Sequence, residues 1–387
     1  MIVLLITTAL LLIYLIAEKI LLEKWIRSVP LRISVTGTRG KSTVVRLLAS
    51  VFRENGFRVL AKVTGSSPVY IMPDGEETAI KRRGMVTILE QKKLLKKAAD
   101  LKAEVLISEI MSIHPENHYV ESQKMIKPDK VIVTNFRKDH ISALGETVDG
   151  IAAVYSLDVP SDSKVFIHDK EMNPAFESAL NNISANIVSV KTGDLSNFIK
   201  PGMLDFSENL ELVSAVCRES NIGEEVISGA ISKTLKNTDE LNIWEMDKNE
   251  EKGCAYFVQG FSINDPESTM LAINKIVEVF PGRKNEITGL LILRSDREER
   301  TKQWLDFLQD GNNSVFKRIF VIGKYADIFK RKLNNVDVIR SGDPAKIMQF
   351  LDEKTGTNEI VFGFGNYVGT GKELTDYWKL KGDIYGV

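Results

Sequence analysis

The sequence predicts an α/β protein: a larger domain with a mostly parallel sheet, a smaller α/β domain after it, and a transmembrane helix in front. Three observations predict this. Short apolar runs alternate with helical periods along most of the chain, the grammar of strand–helix–strand units. The stretch "LRISVTGTRGKSTVVRLLAS", residues 31–50, reads as strand, glycine turn and amphipathic helix in succession. The N-terminal run "MIVLLITTALLLIYLIA" carries no charge before Glu18.

Bulk properties set outer bounds. The 387 residues suffice for two domains with their own cores. Lys and Arg number 51 against 52 Asp and Glu, so net charge argues against nucleic acid or another polyanion as a bulk partner. A hydrophobic share of 43% and a charged share of 27% are globular values. Cys217 and Cys254 are the only cysteines, which fits a reducing compartment without a disulfide framework. Small buried hydrophobes are their ordinary role. The four histidines are too scattered for a zinc site by spacing.

The N-terminal run sits at the short end of the ~17–25 residues that cross a bilayer. Its helical pattern can continue through "EKILLEKWI", with Lys19 and Lys24 snorkelling. No basic segment precedes it and no small-x-small cleavage site follows, unlike a cleaved signal peptide. Lys19, Lys24, Arg27 and Arg32 all come after it. The positive-inside rule therefore expects a single-pass anchor in the cell membrane with the rest of the chain in the cytoplasm. A buried core helix is the alternative, but a helix apolar on all faces has few other places to go. The expected domains are an anchor at 1–27, a central domain at 28–238 and a C-terminal domain at 239–387.

Behind the anchor, "RISV" is a strand, and the helix after it puts Val44, Leu47, Leu48 and Val51 on one face. "EVLISE", "KVIVTNF" and "KVFIHD" are further strands separated by helical stretches. Residues 208–235 read as two helices broken near Asn221-Ile222-Gly223. "KNTDELN", 236–242, is a linker. Beyond it come "AYFVQGF", a helix from Pro266, "GLLILRS", a helix near Trp304–Leu308, "RIFVIG" and "EIVFGFG". "KRRG" (81–84) and "KKLLKK" (92–97) are either solvated charge or a patch that guides a polyanion.

The chemistry starts at the glycine turn. A strand ending near Val35, a turn through Thr36, Gly37, Thr38, Arg39 and Gly40, and a helix from Lys41 bring backbone N–H groups to a helix N-terminus, which suits phosphate. Lys41 would reach β- and γ-phosphates, and the Ser42 hydroxyl, followed by Thr43, would ligate Mg²⁺. Thr36 and Thr38 can add hydroxyl donors. Val35 stands where the longer phosphate-loop pattern has its first glycine. In a parallel sheet, sites form at the carboxyl ends of strands. Glu109 ends "VLISE", and "TNFRKDH" delivers Asn135, Asp139 and His140 to the same edge.

On "GTRGKS", a strand-terminal Glu and N-x-x-x-D-H in that order, the chain resembles the Mur ligase superfamily, ATP-dependent ligases that join a carboxylate to an amine. "KVTGSSPVYI", "VQGFSINDPESTM", "LRSDREERTKQW" and "FGFGN" make it more similar still to the ligase subunits of poly-γ-glutamate synthetase, the PgsB/CapB capsule family. The resemblance covers nearly the whole chain. It implies a phosphate-loop ATPase domain and an ATP- and Mg²⁺-dependent ligase that adds glutamate to a growing poly-γ-glutamate chain through an acyl phosphate. Lys41, Glu109, His140, Asp265 and Arg297 would be catalytic. Residues 36–43, Asn135, Asp296 and Arg300 would hold nucleotide, and Ser42, Glu109 and His140 the metal. Asn264-Asp265-Pro266 is both helix-start chemistry and the family's substrate loop, and "RSDREER" is either a solvated charge run or a loop that closes over ATP. The implied partners are a small polytopic membrane subunit and an extracellular-facing one; a homo-oligomer is compatible with it. Two departures stand out. Lys138 and Ser142 replace the carboxylates that flank Asp-His in the capsule ligases, and no lysine matches the modified lysine of many cell-wall ligases. Two other readings stay open: a small-product ligase related to folylpolyglutamate synthetase, and a membrane-bound ATP-dependent assembly factor that makes no amide bond.

Overall fold

The computed structural model describes residues 1–65, 68–82, 84, 86–138, 141–193, 207–237, 242–247, 254–283 and 286–385. The described residues form two compact units. One comprises residues up to 193 with 207–236, and the other runs from 237 onward.

The first unit begins with α1 (Ile2–Arg27), β1 (Leu31–Thr36), α2 (Lys41–Glu54), β2 (Val59–Val63), β3 (Val69–Ile71), β4 (Glu77–Ala79), α3 (Glu90–Asp100) and β5 (Val105–Glu109). It continues with α4 (Pro115–Tyr119), a wide helical turn over Val120–Ile126, β6 (Lys130–Val133), α5 (Ile141–Leu144), α6 (Val148–Ser156), β7 (Lys164–His168), α7 (Pro174–Asn182), β8 (Asn186–Val190), α8 (Ser207–Glu219) and α9 (Glu224–Asn237). Its sheet runs β4-β3-β2-β5-β1-β6-β7-β8. All six strands from β2 to β8 in that order are parallel, and the β3–β4 hairpin adds an antiparallel edge. β1 lies centrally, between β5 and β6, with every residue from Ile33 to Thr36 buried. Burial on both faces explains why these strands read as continuous apolar runs.

α1 has two halves. Residues Ile2 to Ile16 are exposed, and the helix is long and apolar enough to cross a membrane by length and composition. Its last turns belong to the folded unit. Ile26 is buried in one core cluster with Leu60, Leu94, Leu95, Ala98 and Leu106, and Leu22 and Trp25 pack against that cluster. The stretch expected as the anchor, residues 1–27, ends where α1 ends, and the C-terminal end of that helix is part of the core of the first unit.

The second unit comprises β9 (Ile243–Asp247), β10 (Cys254–Gly260), α10 (Pro266–Val279), β11 (Ile287–Ile292), α11 (Glu298–Gln309), β12 (Arg318–Ile322), α12 (Ala326–Lys332), β13 (Val336–Ile339), α13 (Pro344–Lys354), β14 (Ile360–Phe364), α14 (Thr370–Lys381) and β15 (Asp383–Ile384). Its sheet order is β13-β12-β11-β14-β10-β9-β15, parallel from β13 to β10 and antiparallel beyond. Trp244, Trp378, Phe257 and Phe261 fill its core, their rings 5.2–6.1 Å apart where they meet Trp378.

Candidate active site

β1 ends at Thr36 and α2 starts at Lys41, so four residues make the turn. Gly37 and Gly40 take φ of +114° and +81°, conformations that side chains rarely adopt. Space forbids a side chain as well. A Cβ on Gly37 would lie 2.3 Å from Thr134 Oγ1 and 3.0 Å from the Asn135 backbone, and one on Gly40 would lie 2.7 Å from Asn209 Nδ2. The Lys41 ammonium reaches back across the turn to the carbonyls of Gly37 (2.5 Å) and Thr38 (3.3 Å).

Glu109 stands in register beside Val35 on the neighbouring strand β5 and is buried. One of its carboxylate oxygens accepts from Ser42 Oγ at 3.0 Å and from the Thr64 N–H at 2.8 Å. A hydroxyl and a carboxylate in contact at a helix N-terminus form a hard oxygen pair that suits Mg²⁺, an ion that keeps several of its waters. The residues present therefore fit a magnesium nucleotide. Among the described residues no three His, Cys, Asp or Glu side chains cluster to hold a metal. His140, expected in the metal set, and Asp139 lie outside the described residues.

The hydroxyls of Thr36 and Thr38, expected among the nucleotide-binding groups, have partners within the protein. Thr36 is buried and donates to the Asp158 carboxylate. Thr38 Oγ1 accepts from the Arg137 N–H at 3.0 Å and donates to the Arg137 carbonyl at 3.2 Å. Asn135 is likewise committed to the turn. Its Oδ1 accepts from the Arg39 N–H (3.0 Å), its Nδ2 donates to the Arg39 carbonyl (3.1 Å), and its own carbonyl accepts from the Thr38 N–H (3.0 Å). Asn135, expected to contact nucleotide, brackets the backbone of the loop in this way. Thr43 follows Ser42 in the first turn of α2 and is half-buried.

Beneath this loop lies a polar layer that the sequence did not disclose. His118 and Asp158 are fully buried, with His118 Nδ1 2.9–3.0 Å from both Asp158 oxygens. Burial pulls the His118 pKa down, but the adjoining Asp158 carboxylate outweighs it and holds the imidazole above its usual value. Glu121, also buried, accepts from the Met111 and Ser112 N–H groups, the Ser112 hydroxyl and Gln91. It thereby fixes the chain that leaves Glu109, and burial raises its own pKa despite those donors. Lys62 is wholly buried and pairs with Glu90 at 3.1 Å. Histidine and aspartate forty residues apart, with no shared motif, offered no sequence signal.

In the second unit the expected residues gather at the carboxyl ends of three adjacent strands, β11, β14 and β10. Asp265 follows β10 and caps α10, its Oδ1 accepting from the Ser268 N–H at 2.8 Å, with Pro266 at the first helical position. Asn264 Oδ1 beside it is buried without a hydrogen-bond partner. Asp296 follows β11 and forms a two-pronged pair with Arg294 (2.8 and 2.6 Å). Arg297 is exposed at the start of α11, and Arg300 is half-buried one turn in. Asn366 follows β14 and donates to the Val368 carbonyl at 2.7 Å.

Comparison with known proteins agrees with this architecture. Residues 35–225 match the Mur ligase middle domain, and residues 244–381 match the poly-gamma-glutamate synthase CapB C-terminal domain. The chain is 28% identical over 383 residues to the capsule biosynthesis protein CapB of Bacillus anthracis, covering 96% of this chain and 81% of that protein. It is 26% identical over 385 residues to the PGA synthase CapB of Bacillus subtilis, covering 96% of both. Among solved structures, the bifunctional folylpolyglutamate synthase/dihydrofolate synthase of Yersinia pestis, complexed with AMPPNP and Mn ion, superposes with a TM-score of 0.73 at 12% identity over 93% of this chain and 92% of that one. E. coli FolC in complex with ADP gives 0.67 at 14% identity over 94% of both chains. MurF of Acinetobacter baumannii gives 0.65 at 13% identity over 93% of this chain and 79% of that one. At these identities the structural likeness establishes the fold.

Proposed function

We propose that this chain, which belongs to the Mur ligase superfamily and within it to the CapB capsule-synthase type, is an ATP-dependent amide ligase that builds poly-γ-glutamate. The observation that carries the reading is the meeting of Ser42 and Glu109 beneath a glycine turn bracketed by Asn135, in a chain whose relatives are capsule synthases. A carboxylate acylates poorly because its oxygen is no leaving group. Transfer of the γ-phosphoryl group of Mg-ATP to a γ-carboxylate gives an acyl phosphate. The amine of an incoming glutamate attacks that carbonyl, phosphate leaves with the C–O bonding pair, and the amine proton goes to solvent or base.

The chain's own groups divide this work. The N–H groups at the start of α2 and the Lys41 ammonium hold phosphate oxygens and spread developing charge. Ser42 and Glu109 would hold the magnesium ion, which would neutralise charge on the phosphates, and His140 is assigned to the same ion by resemblance. Asp265 and Arg297 serve ligation, with Asp296 and Arg300 on the nucleotide. The apolar half of α1 anchors the chain in the cell membrane with both units in the cytoplasm. There it works beside a small polytopic membrane subunit and an extracellular-facing one that take the polymer out.

Membranes carrying the chain with its neighbouring subunits, given Mg-ATP, glutamate and hydroxylamine, test the reading. Glutamate-dependent ADP release with trapped hydroxamate is expected. ATP turnover indifferent to glutamate, with no hydroxamate, would refute it.

A further inference from the structure

The direction of α1 carries an inference about what faces the membrane. α3 runs opposite to the strands, since its end leads into the start of β5. α1 packs parallel to α3. Glu18 meets Lys92 in the first turn of α3 at 2.7 Å, and two turns further on Ile26 shares a core cluster with Ala98 and Ala103 at the other end. The same register recurs where Glu23 pairs with Lys127, just ahead of β6. The anchor therefore leaves the first unit at the carboxyl edge of its sheet, the edge that carries residues 37–42. Its docked part, Glu18 to Arg27, rises about 14 Å. β1, which returns from the turn at Ser28, spans about 17 Å. Glu18 thus stands about level with the phosphate loop, and the uncharged residues before it project beyond that edge.

The surface around the exit has a matching character. Val86 and Leu89, just before α3, are 54% and 50% exposed. Lys93 on the first turn of α3 and Lys19 on α1 are exposed. Lys81 is exposed too, and its neighbour Ile80 is tied by its N–H to the Pro68 carbonyl, near the carboxyl end of β2. Two bare apolar side chains at an edge that also exposes ammonium groups suit the boundary of an anionic bilayer, where apolar groups enter the acyl border and ammonium groups meet phosphates. Lys81 and Arg82 of one basic motif and Lys92 and Lys93 of the other fall in this region.

We infer that Lys19, Lys81, Val86, Leu89 and Lys93 form a docking surface for anionic phospholipid headgroups, which turns the phosphate-loop edge of the first sheet towards the membrane. The inference rests on α1 being an anchor, and the test separates the two. The full chain with Cys254→Ser, which keeps only the buried Cys217, receives one added cysteine by Leu12→Cys, Leu89→Cys or Asp100→Cys, the last at the far end of α3. Each variant is labelled with a small fluorophore and placed in nanodiscs of phosphatidylcholine, with or without phosphatidylglycerol, that carry a nitroxide lipid near the headgroup. Quenching is expected at 12 in both lipids, at 89 more strongly with phosphatidylglycerol, and not at 100. Adding Lys81→Glu and Lys93→Glu to the Leu89→Cys chain should remove the phosphatidylglycerol-dependent share. An unquenched label at 12 overturns the anchor and the inference with it. A quenched label at 12 with 89 no more quenched than 100 overturns the docking surface alone, as does an unchanged lipid dependence in the Lys81→Glu, Lys93→Glu chain.

Discussion

Where the chain is cut to make a soluble form decides whether it folds. Deleting residues 2–17 removes side chains that are exposed in the folded unit. Deleting residues 2–28 also removes the docked end of α1. Ile26 is 4% exposed, so its loss costs about 1.5–3 kcal/mol of apolar burial. Leu22 and Trp25 are half-buried against the same cluster and contribute a comparable amount between them, on the order of 2–3 kcal/mol. The Glu18–Lys92 and Glu23–Lys127 pairs are partly exposed and add no more than about 1 kcal/mol each. The total, on the order of 4–7 kcal/mol, is a large fraction of a domain's usual 5–15 kcal/mol. The shorter deletion should therefore give a soluble chain with a cooperative first-unit transition in differential scanning calorimetry. The longer one should lose that transition or shift it down by ten degrees or more, at roughly 2–4 °C per kcal/mol. Equal transition temperatures for the two forms would refute the claim that the end of α1 is core.

Four further outcomes follow from the geometry. Gly37→Ala forces a side chain into a left-handed position against the Asn135 backbone; at ~1–3 kcal/mol it should weaken nucleotide binding by roughly 5- to 150-fold in a titration, and unaltered affinity would contradict the fit described for the turn. Glu90→Leu strands the buried Lys62 and should cost about 3–5 kcal/mol in urea unfolding, most of it recovered by adding Lys62→Met; a single variant no weaker than the double would deny the pairing. Cys217 is fully buried, its thiol pushed up to about 12, so at pH 8 it should resist a thiol reagent until urea unfolds the chain, and rapid native labelling at that position would count against its burial. Asp265→Asn keeps a good helix cap but removes the charge, whereas Asp265→Ala loses both, at about 1 kcal/mol for the cap. If Asp265 serves ligation through its charge, both should stop amide formation while nucleotide binding persists, and full activity in Asp265→Asn would reduce the residue to a cap.

The parallel core of both units was legible because a parallel sheet with both faces covered writes its strands as apolar runs. The carboxyl-edge rule puts Ser42 and Glu109 at one sheet edge, and β1 and β5 are neighbours. Short strands were harder to read. β4 is the exposed triplet Glu77–Ala79, and β15 has two residues; neither carries a pattern that distinguishes it from loop. The partners of the Thr36 and Thr38 hydroxyls were illegible for a different reason. A side chain at the end of a strand points to one face or the other, and the sequence does not say whether that face meets a ligand or another helix. Asp158, brought in by the segment after α6, claims the Thr36 hydroxyl.

These bonds point to how the loop is held. Its two left-handed glycines cost conformational entropy and have no side chains to anchor them. The loop is instead held from outside. Asn135 clasps the Arg39 backbone on both its N–H and its carbonyl, and Thr38 does the same to Arg137. Thr36 ties the end of β1 to the buried Asp158–His118 pair. Each bond fixes backbone that would otherwise have to be ordered when phosphate arrives, so binding energy need not be spent on it. These polar side chains therefore shape the backbone of the turn. In the proposed site the N–H donors, Lys41 and Ser42 take their positions from the bracketed turn, and Glu109 takes its own from β5. Replacing a bracket residue such as Asn135 should therefore lower nucleotide affinity through the loop backbone.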